Sequence, residues 1–482
     1  MIDNIKLANY KSFFADQVKE AIDEQQKINR SQMRNLFKTG ELSLAYVDSI
    51  QHETGMIILK CPRRMAPRLK VLKGVCIIKK GAKQALGEHV TEWICRWDEF
   101  VDNKDFHSSG SDMTPMYYVH TGDSNYDYVA CSGFSFKLYD ILSKALVDGK
   151  SLSLIVHNPF PPVEYFRNLA SYMDAFSSND ELNLEPTIDY EEWTPEELAF
   201  DEQKPTGISD TIIDTLANEH CCIVQGPPGT GKSYTIASVI SSYLDAGKTV
   251  CVTTMANKGL IELIKQKPLQ KYVKEGRVSK TNLSIDERKQ VSGVKAASAD
   301  LQVPGGEMLC ATNYQLSSVF SEKKMTLYGL PQYDLVVIEE ASQAFLTAIV
   351  AFKQLGIDCL IVGDPMQLPP IVKLNNPQYN SWNVATQVEG LKSMVLGTSI
   401  KSYRIVTTFR LTSRSASLTK YFYGNRFVSV KQDYLDFTKA NSVLFPQDGG
   451  VLYHCTLDVR NGVYSDKVTP NNNITFADGN NA

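Results

Sequence analysis

Cys221-Cys222-Ile223-Val224-Gln225-Gly226-Pro227-Pro228-Gly229-Thr230-Gly231-Lys232-Ser233 is the stretch on which the fold turns. It begins as a short apolar run suited to a buried strand, passes through a turn carrying three glycines, and leads into residues 234–243, whose composition suits a helix. In this order the glycines let backbone N–H groups converge on phosphate oxygens while the helix presents its positive N-terminal end. Lys232 is then placed to neutralise the outer phosphates of ATP, and the Ser233 hydroxyl to ligate Mg²⁺. The predicted nucleotide site is therefore the whole loop: Gly226, Pro227, Pro228, Gly229, Thr230, Gly231, Lys232 and Ser233. A glycine-rich turn without a ligand accounts for the glycines but not for the complete pattern.

Downstream, apolar runs at 250–253, 308–311, 335–338 and 359–362 alternate with longer segments able to form helices. That alternation predicts an α/β fold: a RecA-like P-loop NTPase domain built on a parallel sheet with helices on both faces. Its ligand belongs at the carboxyl ends of the strands, and two further motifs fall there. Tyr333-Asp334-Leu335-Val336-Val337-Ile338 reads as a buried strand delivering Glu339 and Glu340. Glu339 is suited to hold the metal's shell and Glu340 to polarise a water for attack on the γ-phosphate. Gly363-Asp364-Pro365-Met366-Gln367-Leu368-Pro369-Pro370 places Gln367, an amide that both donates and accepts hydrogen bonds, where it can sense that phosphate.

The rest of the chain bounds the function. At 482 residues and 43% hydrophobic content it can bury more than one core. A formal net charge of −4 means that any binding of DNA or RNA must use local patches. Ten scattered cysteines, with no Cys-x-x-Cys spacing, read as reduced core thiols. The start lacks the apolar core of a secretory signal and no 18-residue uncharged apolar run occurs, so no membrane partner and a cytoplasmic location are expected.

Residues 13–37 predict a helical stalk entering a small β-barrel over 42–80, within an α+β accessory region at 1–179. In that region 60–83 carries nine basic residues and no acidic one, readable as a solvated face or as a phosphate-contact surface. Residues 180–202 hold ten carboxylates and no Lys or Arg, predicting an exposed acidic linker at 180–204. The first RecA-like domain follows at 205–400 and a partial second one at 401–482. Between 258 and 295 ten basic residues face four acidic ones, among them Lys265, Lys267, Lys271, Lys274, Arg277 and Lys280. This excess points to contact with a single strand of DNA or RNA. Tyr272 and Tyr314 are placed either to stack on bases or to pack.

The order Gln-Gly-Pro-Pro-Gly-Thr-Gly-Lys-Ser, Glu-Ala-Ser-Gln and Gly-Asp-Pro-Met-Gln-Leu-Pro-Pro resembles superfamily 1 helicases, and within them the nonsense-mediated-decay helicase group. The resemblance implies that Val250 to Lys258 and Met308 to Asn313 face nucleic acid. It implies further that Phe409, in Thr407-Thr408-Phe409-Arg410, stacks on adenine while Arg410 reaches the γ-phosphate. The implied activity is an ATP-dependent helicase or translocase moving 5′ to 3′, with a nucleotide-gated nucleic-acid clamp or a fragment of a longer helicase as alternatives. Three departures stand out. Glu339 occupies the family's metal-binding Asp position, which displaces the carboxylate by about 1.5 Å and predicts slower hydrolysis. No glutamine matches the family's adenine reader near Ser209 and Asp210, and no counterpart of the late second-lobe motifs follows Arg410.

Overall fold

The computed structural model describes residues 4–32, several stretches between 43 and 156, 163–185, 193–321, 330–372 and 384–430, with single positions such as 178 and 284 excepted. The expectations for most of 60–83, and all those beyond 430, lie outside the described residues.

The first helix runs Asn4–Arg30 because 27 residues pass without Gly or Pro. Leu7, Tyr10, Phe13, Phe14 and Gln17 recur at helical spacing and are all buried. The expected helix is present and packs along one side: Phe13 and Phe14 lie edge-on against Phe345, at 5.9 and 5.4 Å between ring centroids. A second helix, Glu164–Ala175, buries Tyr165, Leu169, Tyr172 and Met173 into the same core. At about 1.5–3 kcal/mol for each large apolar side chain removed from water, these helices are part of the core that carries the main sheet.

The β region forms a seven-stranded sheet. Its strands are β1 (Ser43–Gln51), β2 (Met56–Pro62), β3 (Val71–Leu72), β4 (Val75–Ile78), β5 (Thr114–Val119), β6 (Tyr126–Cys131) and β7 (Ser153–Val156). They lie in the order β3-β5-β6-β2-β1-β7-β4, and their pairings are antiparallel. Among the described residues no pairing joins β3 to β4, so closure into the expected barrel is not shown. The described part of the acidic stretch includes buried positions. Asp180–Asn183 is a 3₁₀ turn that buries Leu182, and Lys6 Nζ donates to the carbonyl of the buried Leu184 at 2.5 Å.

The larger sheet contains β8 (Glu196–Leu198), β9 (Cys221–Gln225), β10 (Val250–Thr254), β11 (Val278–Lys280), β12 (Lys295–Ala296), β13 (Met308–Thr312), β14 (Tyr333–Ile338), β15 (Gly356–Gly363) and β16 (Lys401–Ile405). Its order is β12-β11-β13-β10-β14-β15-β9-β16-β8. The predicted parallel core is present: β11 to β13, β13 to β10, β10 to β14, β14 to β15 and β15 to β9 all run parallel. Their apolar runs are uninterrupted because both faces are covered; β9, β10 and β13 are buried along their whole length. The register matters for function. Thr254 pairs with Thr312, Thr253 with Ile338, Ile338 with Ile361 and Gly363 with Gln225, so these strand ends form one edge.

The chain divides into two compact units: residues 1–196, 206–225 and 233–403, and residues 197–205, 226–232 and 404 onward. The second contains a parallel pair, β17 (Thr407–Thr408) with β18 (Val428–Ser429).

Candidate nucleotide-binding site

In the first unit the site is built on the carboxyl edge of the sheet. β14 ends at Ile338, and the backbone N–H of Glu339 donates to the Thr253 carbonyl at 2.8 Å, fixing where the strand stops. Glu339 is 5% exposed. Its Oε1 accepts a hydrogen bond from Ser233 Oγ at 3.1 Å, although the two residues lie 106 positions apart. Ser233 belongs to the first turn of the helix Lys232–Asp245, which begins where the glycine loop ends. Hydroxyl and carboxylate together are hard oxygen donors, the type that Mg²⁺ selects.

Glu340 is half-buried and has φ 54°, ψ 40°, the left-handed region that a non-glycine residue seldom enters. Such strain, of order 1–3 kcal/mol, persists where surrounding structure over-determines it and clusters at active sites. It turns the chain into the 3₁₀ segment Ala341–Gln343 directly after the strand. At the end of β15, Asp364 organises the next loop. Its Oδ1 accepts from the Met366 N–H at 3.1 Å, its carbonyl from the Gln367 N–H at 2.9 Å, and its Oδ2 from Gln367 Nε2 at 3.1 Å. Gln367 is therefore held by Asp364, a residue that sequence reasoning quoted in the octet without giving it a role.

In the second unit the loop Gly226–Lys232 takes the conformation its glycines permit. Gly229 and Gly231 have φ of 79° and 78°. A Cβ at Gly226 would lie 2.4 Å from Lys232 Cγ, and one at Gly229 would lie 2.3 Å from Arg410 Cβ. Lys232 Nζ donates to the Gly226 carbonyl, curling the side chain over the loop. The Thr407–Arg410 segment lies against the same loop: Phe409 N–H donates to the Gly229 carbonyl at 2.8 Å and Thr408 Oγ1 to that of Pro228 at 3.2 Å. Phe409 is 42% exposed and meets Phe200 edge-on at 5.0 Å. Phe200 had no signal in the sequence beyond being an aromatic at the end of an acidic stretch. Arg410 is exposed.

The candidate nucleic-acid residues separate. Tyr272 is fully buried, bonded through its hydroxyl to the Ser241 carbonyl at 2.8 Å, so it packs and does not stack on bases. The Tyr314 hydroxyl donates to Glu164 and its ring lies 6.4 Å from that of Tyr165. Arg277 turns inward to the carbonyls of Gly306 and Leu244, at 2.7 and 2.8 Å. Lys271 pairs with Asp245 at 2.7 Å, and this hydrogen bond holds the Asp245 carboxyl below its usual range. Lys258, Lys265, Lys267, Lys274, Arg288 and Lys289 stay exposed, while Lys280 is fully buried.

The six described free cysteines (Cys61, Cys221, Cys222, Cys251, Cys310 and Cys359) are all buried. Among the described residues no group of His, Cys, Asp and Glu is suited to a metal, and no helix is long and apolar enough to cross a membrane.

Comparison with known proteins gives the following matches. The AAA domain family matches residues 209–373. The chain is 31% identical over 209 residues to the DNA replication ATP-dependent helicase/nuclease dna2 of Schizosaccharomyces pombe, covering 41% of this chain and 14% of that protein. It is 26% identical over 207 residues to DNA2 of Saccharomyces cerevisiae, covering 40% of this chain and 12% of that protein. Among solved structures, the Arterivirus nonstructural protein 10 helicase in complex with DNA matches 46% of this chain and 44% of that one at 15% identity, with a TM-score of 0.28. The chain therefore spans about an eighth of the length of these curated relatives. Residues 209–373 are similar to the AAA domain family, and the chain resembles the superfamily 1 helicases of the DNA2 type.

Proposed function

We propose that this chain binds and hydrolyses MgATP and couples that cycle to gripping single-stranded DNA or RNA, as the nucleotide-binding part of a helicase or translocase. The observation that carries the proposal is the 3.1 Å contact between Ser233 Oγ and Glu339 Oε1. Adjacent ligands of an octahedral Mg²⁺ at about 2.1 Å stand about 3.0 Å apart, so the two oxygens already have the spacing of one edge of that octahedron. A metal held there would neutralise charge on the transferring phosphate. On this reading the longer carboxylate of Glu339 suits direct ligation.

The protein groups divide the remaining work. Lys232, adjacent in the chain to Ser233, neutralises the outer phosphates, and the backbone N–H groups of Gly229 to Gly231 orient them. Glu340, held in its strained turn, polarises the attacking water. Gln367 reports the γ-phosphate from the loop that Asp364 organises. Phe409 and Arg410 serve the adenine and the γ-phosphate. The exposed cations between 258 and 295 meet the strand's phosphates, and the buried thiols suit a reducing, cytoplasmic setting.

The test is an ATPase assay of the whole chain with and without single-stranded oligonucleotide, beside Lys232→Ala. Turnover that rises with the strand and falls at least a hundredfold in the variant is expected. Turnover indifferent to every polynucleotide would refute the motor reading, and MgATP-dependent strand binding without phosphate release would favour the clamp.

A further inference from the structure

Lys280 ends β11 and is fully buried, yet its ammonium is completely satisfied. Nζ donates to Asn257 Oδ1 at 2.7 Å, to the Thr281 carbonyl at 3.1 Å and to Glu287 Oε1 at 3.2 Å. Three N–H groups meet three acceptors, each from a different segment. Asn257 opens the helix Asn257–Ile264, and Glu287 lies in the helix Ile285–Gln290. A second link joins the same two helices, from Lys265 Nζ to Gln290 Oε1 at 3.0 Å. The residues flanking these anchors, Lys258 beside Asn257 and Arg288 and Lys289 beside Glu287, are exposed.

We propose that Lys280 is a positioning residue: it clamps the two helices together so that Lys258, Lys265, Arg288 and Lys289 present one cationic edge to the phosphate backbone of a single strand. The proposal rests on the nucleic-acid reading above. Stability alone explains the arrangement poorly. Taking an ammonium and a carboxylate out of water costs several kcal/mol each, and well-packed apolar side chains commonly serve a core as well or better. What a buried, fully bonded charge supplies is registration, because any shift of either helix strands it without a partner. The net charge of −4 sharpens the point: only a locally ordered cation cluster attracts a polyanion to this chain.

The experiment measures binding of a fluorescein-labelled oligothymidylate to the whole chain over a salt series, alongside affinity for a fluorescent ATP analogue. The surface variant Arg288→Gln/Lys289→Gln removes two phosphate contacts, and at about 0.7 per cation the slope of log K against log salt should fall by about 1.4. Lys280→Met should lower the slope similarly although it removes no exposed charge, with ATP-analogue affinity within about twofold of wild type. Combining all three substitutions should lower the slope by less than the sum of the two separate effects, since Lys280 acts through cations that include the two removed. An unchanged slope in the surface variant overturns the proposal, and so does full additivity in the triple variant. Should Lys280→Met not fold, Glu287→Gln keeps an acceptor but drops the charge; a reduced slope supports the clamp and an unchanged one refutes it. Failure of wild type to bind the oligonucleotide at low salt brings down the nucleic-acid reading as well. Wild-type binding with indifferent variants brings down this inference alone.

Discussion

Shortening Glu339 to aspartate is the sharpest perturbation of the proposed metal site. The carboxylate retracts by about 1.5 Å, so the 3.1 Å separation from Ser233 Oγ opens to about 4.6 Å. That is too wide for neighbouring positions on an octahedron whose adjacent ligands stand about 3.0 Å apart, and aspartate would reach the metal only through a water. The strand end cannot advance to compensate, because the Glu339 N–H is bonded to the Thr253 carbonyl at 2.8 Å and the following residue is locked at positive φ. Loss of one direct charged ligand should raise the Mg²⁺ concentration for half-saturation about tenfold, equivalent to about 1.4 kcal/mol. The assay is a Mg²⁺ titration of fluorescent ATP-analogue binding to wild type, Glu339→Asp, Glu339→Gln and Ser233→Ala, with affinity in EDTA as the control. Both Glu339 variants should lose Mg²⁺ response while metal-free affinity stays within about twofold. If Glu339→Asp took up Mg²⁺ at or below the wild-type concentration, the native carboxylate would be one methylene too long, and the octahedral-edge argument would be wrong.

Three other outcomes follow from the same geometry. Gly229→Ala forces a side chain to φ 79° and puts its Cβ 2.3 Å from Arg410 Cβ; with about 1–2 kcal/mol of backbone strain before any clash, ATP-analogue affinity should fall at least tenfold, read by fluorescence titration. Asp358, buried on β15, accepts from the Tyr243 hydroxyl and faces His220 Nδ1, both at 2.7 Å, at the edge of the sheet opposite the proposed nucleotide site. Asp358→Ala should therefore cost about 2–3 kcal/mol in denaturant unfolding without changing nucleotide affinity in the folded protein. Burial pushes the Cys310 thiol up to about 12 from its ordinary 9.0. At pH 8 about one molecule in ten thousand carries that thiolate, so iodoacetamide should leave Cys310 unlabelled in the native protein and modify it after unfolding. Folding holds this proton more tightly, so the stabilisation is complete below pH 9 and is lost as pH rises toward 12, visible as a falling unfolding midpoint.

Where the sequence was legible, a simple physical constraint made it so. The five central strands of the sheet were readable to within a few residues because strands covered on both faces tolerate no polar interruption: Cys221–Gln225, Val250–Thr254 and Met308–Thr312 are buried throughout. The glycine loop was readable because positive φ and close approach leave few alternatives to glycine at Gly229 and Gly231. The packing of the first helix was hard to read for the converse reason. Its 27 residues average polar, and only their spacing reveals that Leu7, Tyr10 and Phe14 share a buried side. The acidic stretch hid Leu182 and Leu184 among carboxylates in the same way.

What composition could not reveal is which members of a charge run face water, because that depends on contacts far away in the chain. Lys271 and Lys280 are alike as letters in one basic run. One pairs with Asp245 at the surface; the other is enclosed by Asn257 and Glu287, 23 and 7 positions away. The same distinction runs through the acidic pair. Adjacent in sequence, Glu339 meets Ser233, 106 positions away, while Glu340 takes a left-handed backbone conformation. A motif specifies which residues are available. The alignment of Thr254, Thr312, Ile338, Gly363 and Gln225 along one edge decides which can act together. A substitution that shifted β14 by one residue against β10 would therefore keep every motif letter and still separate Glu339 from Ser233, since a single-residue slip sends each side chain to the opposite face.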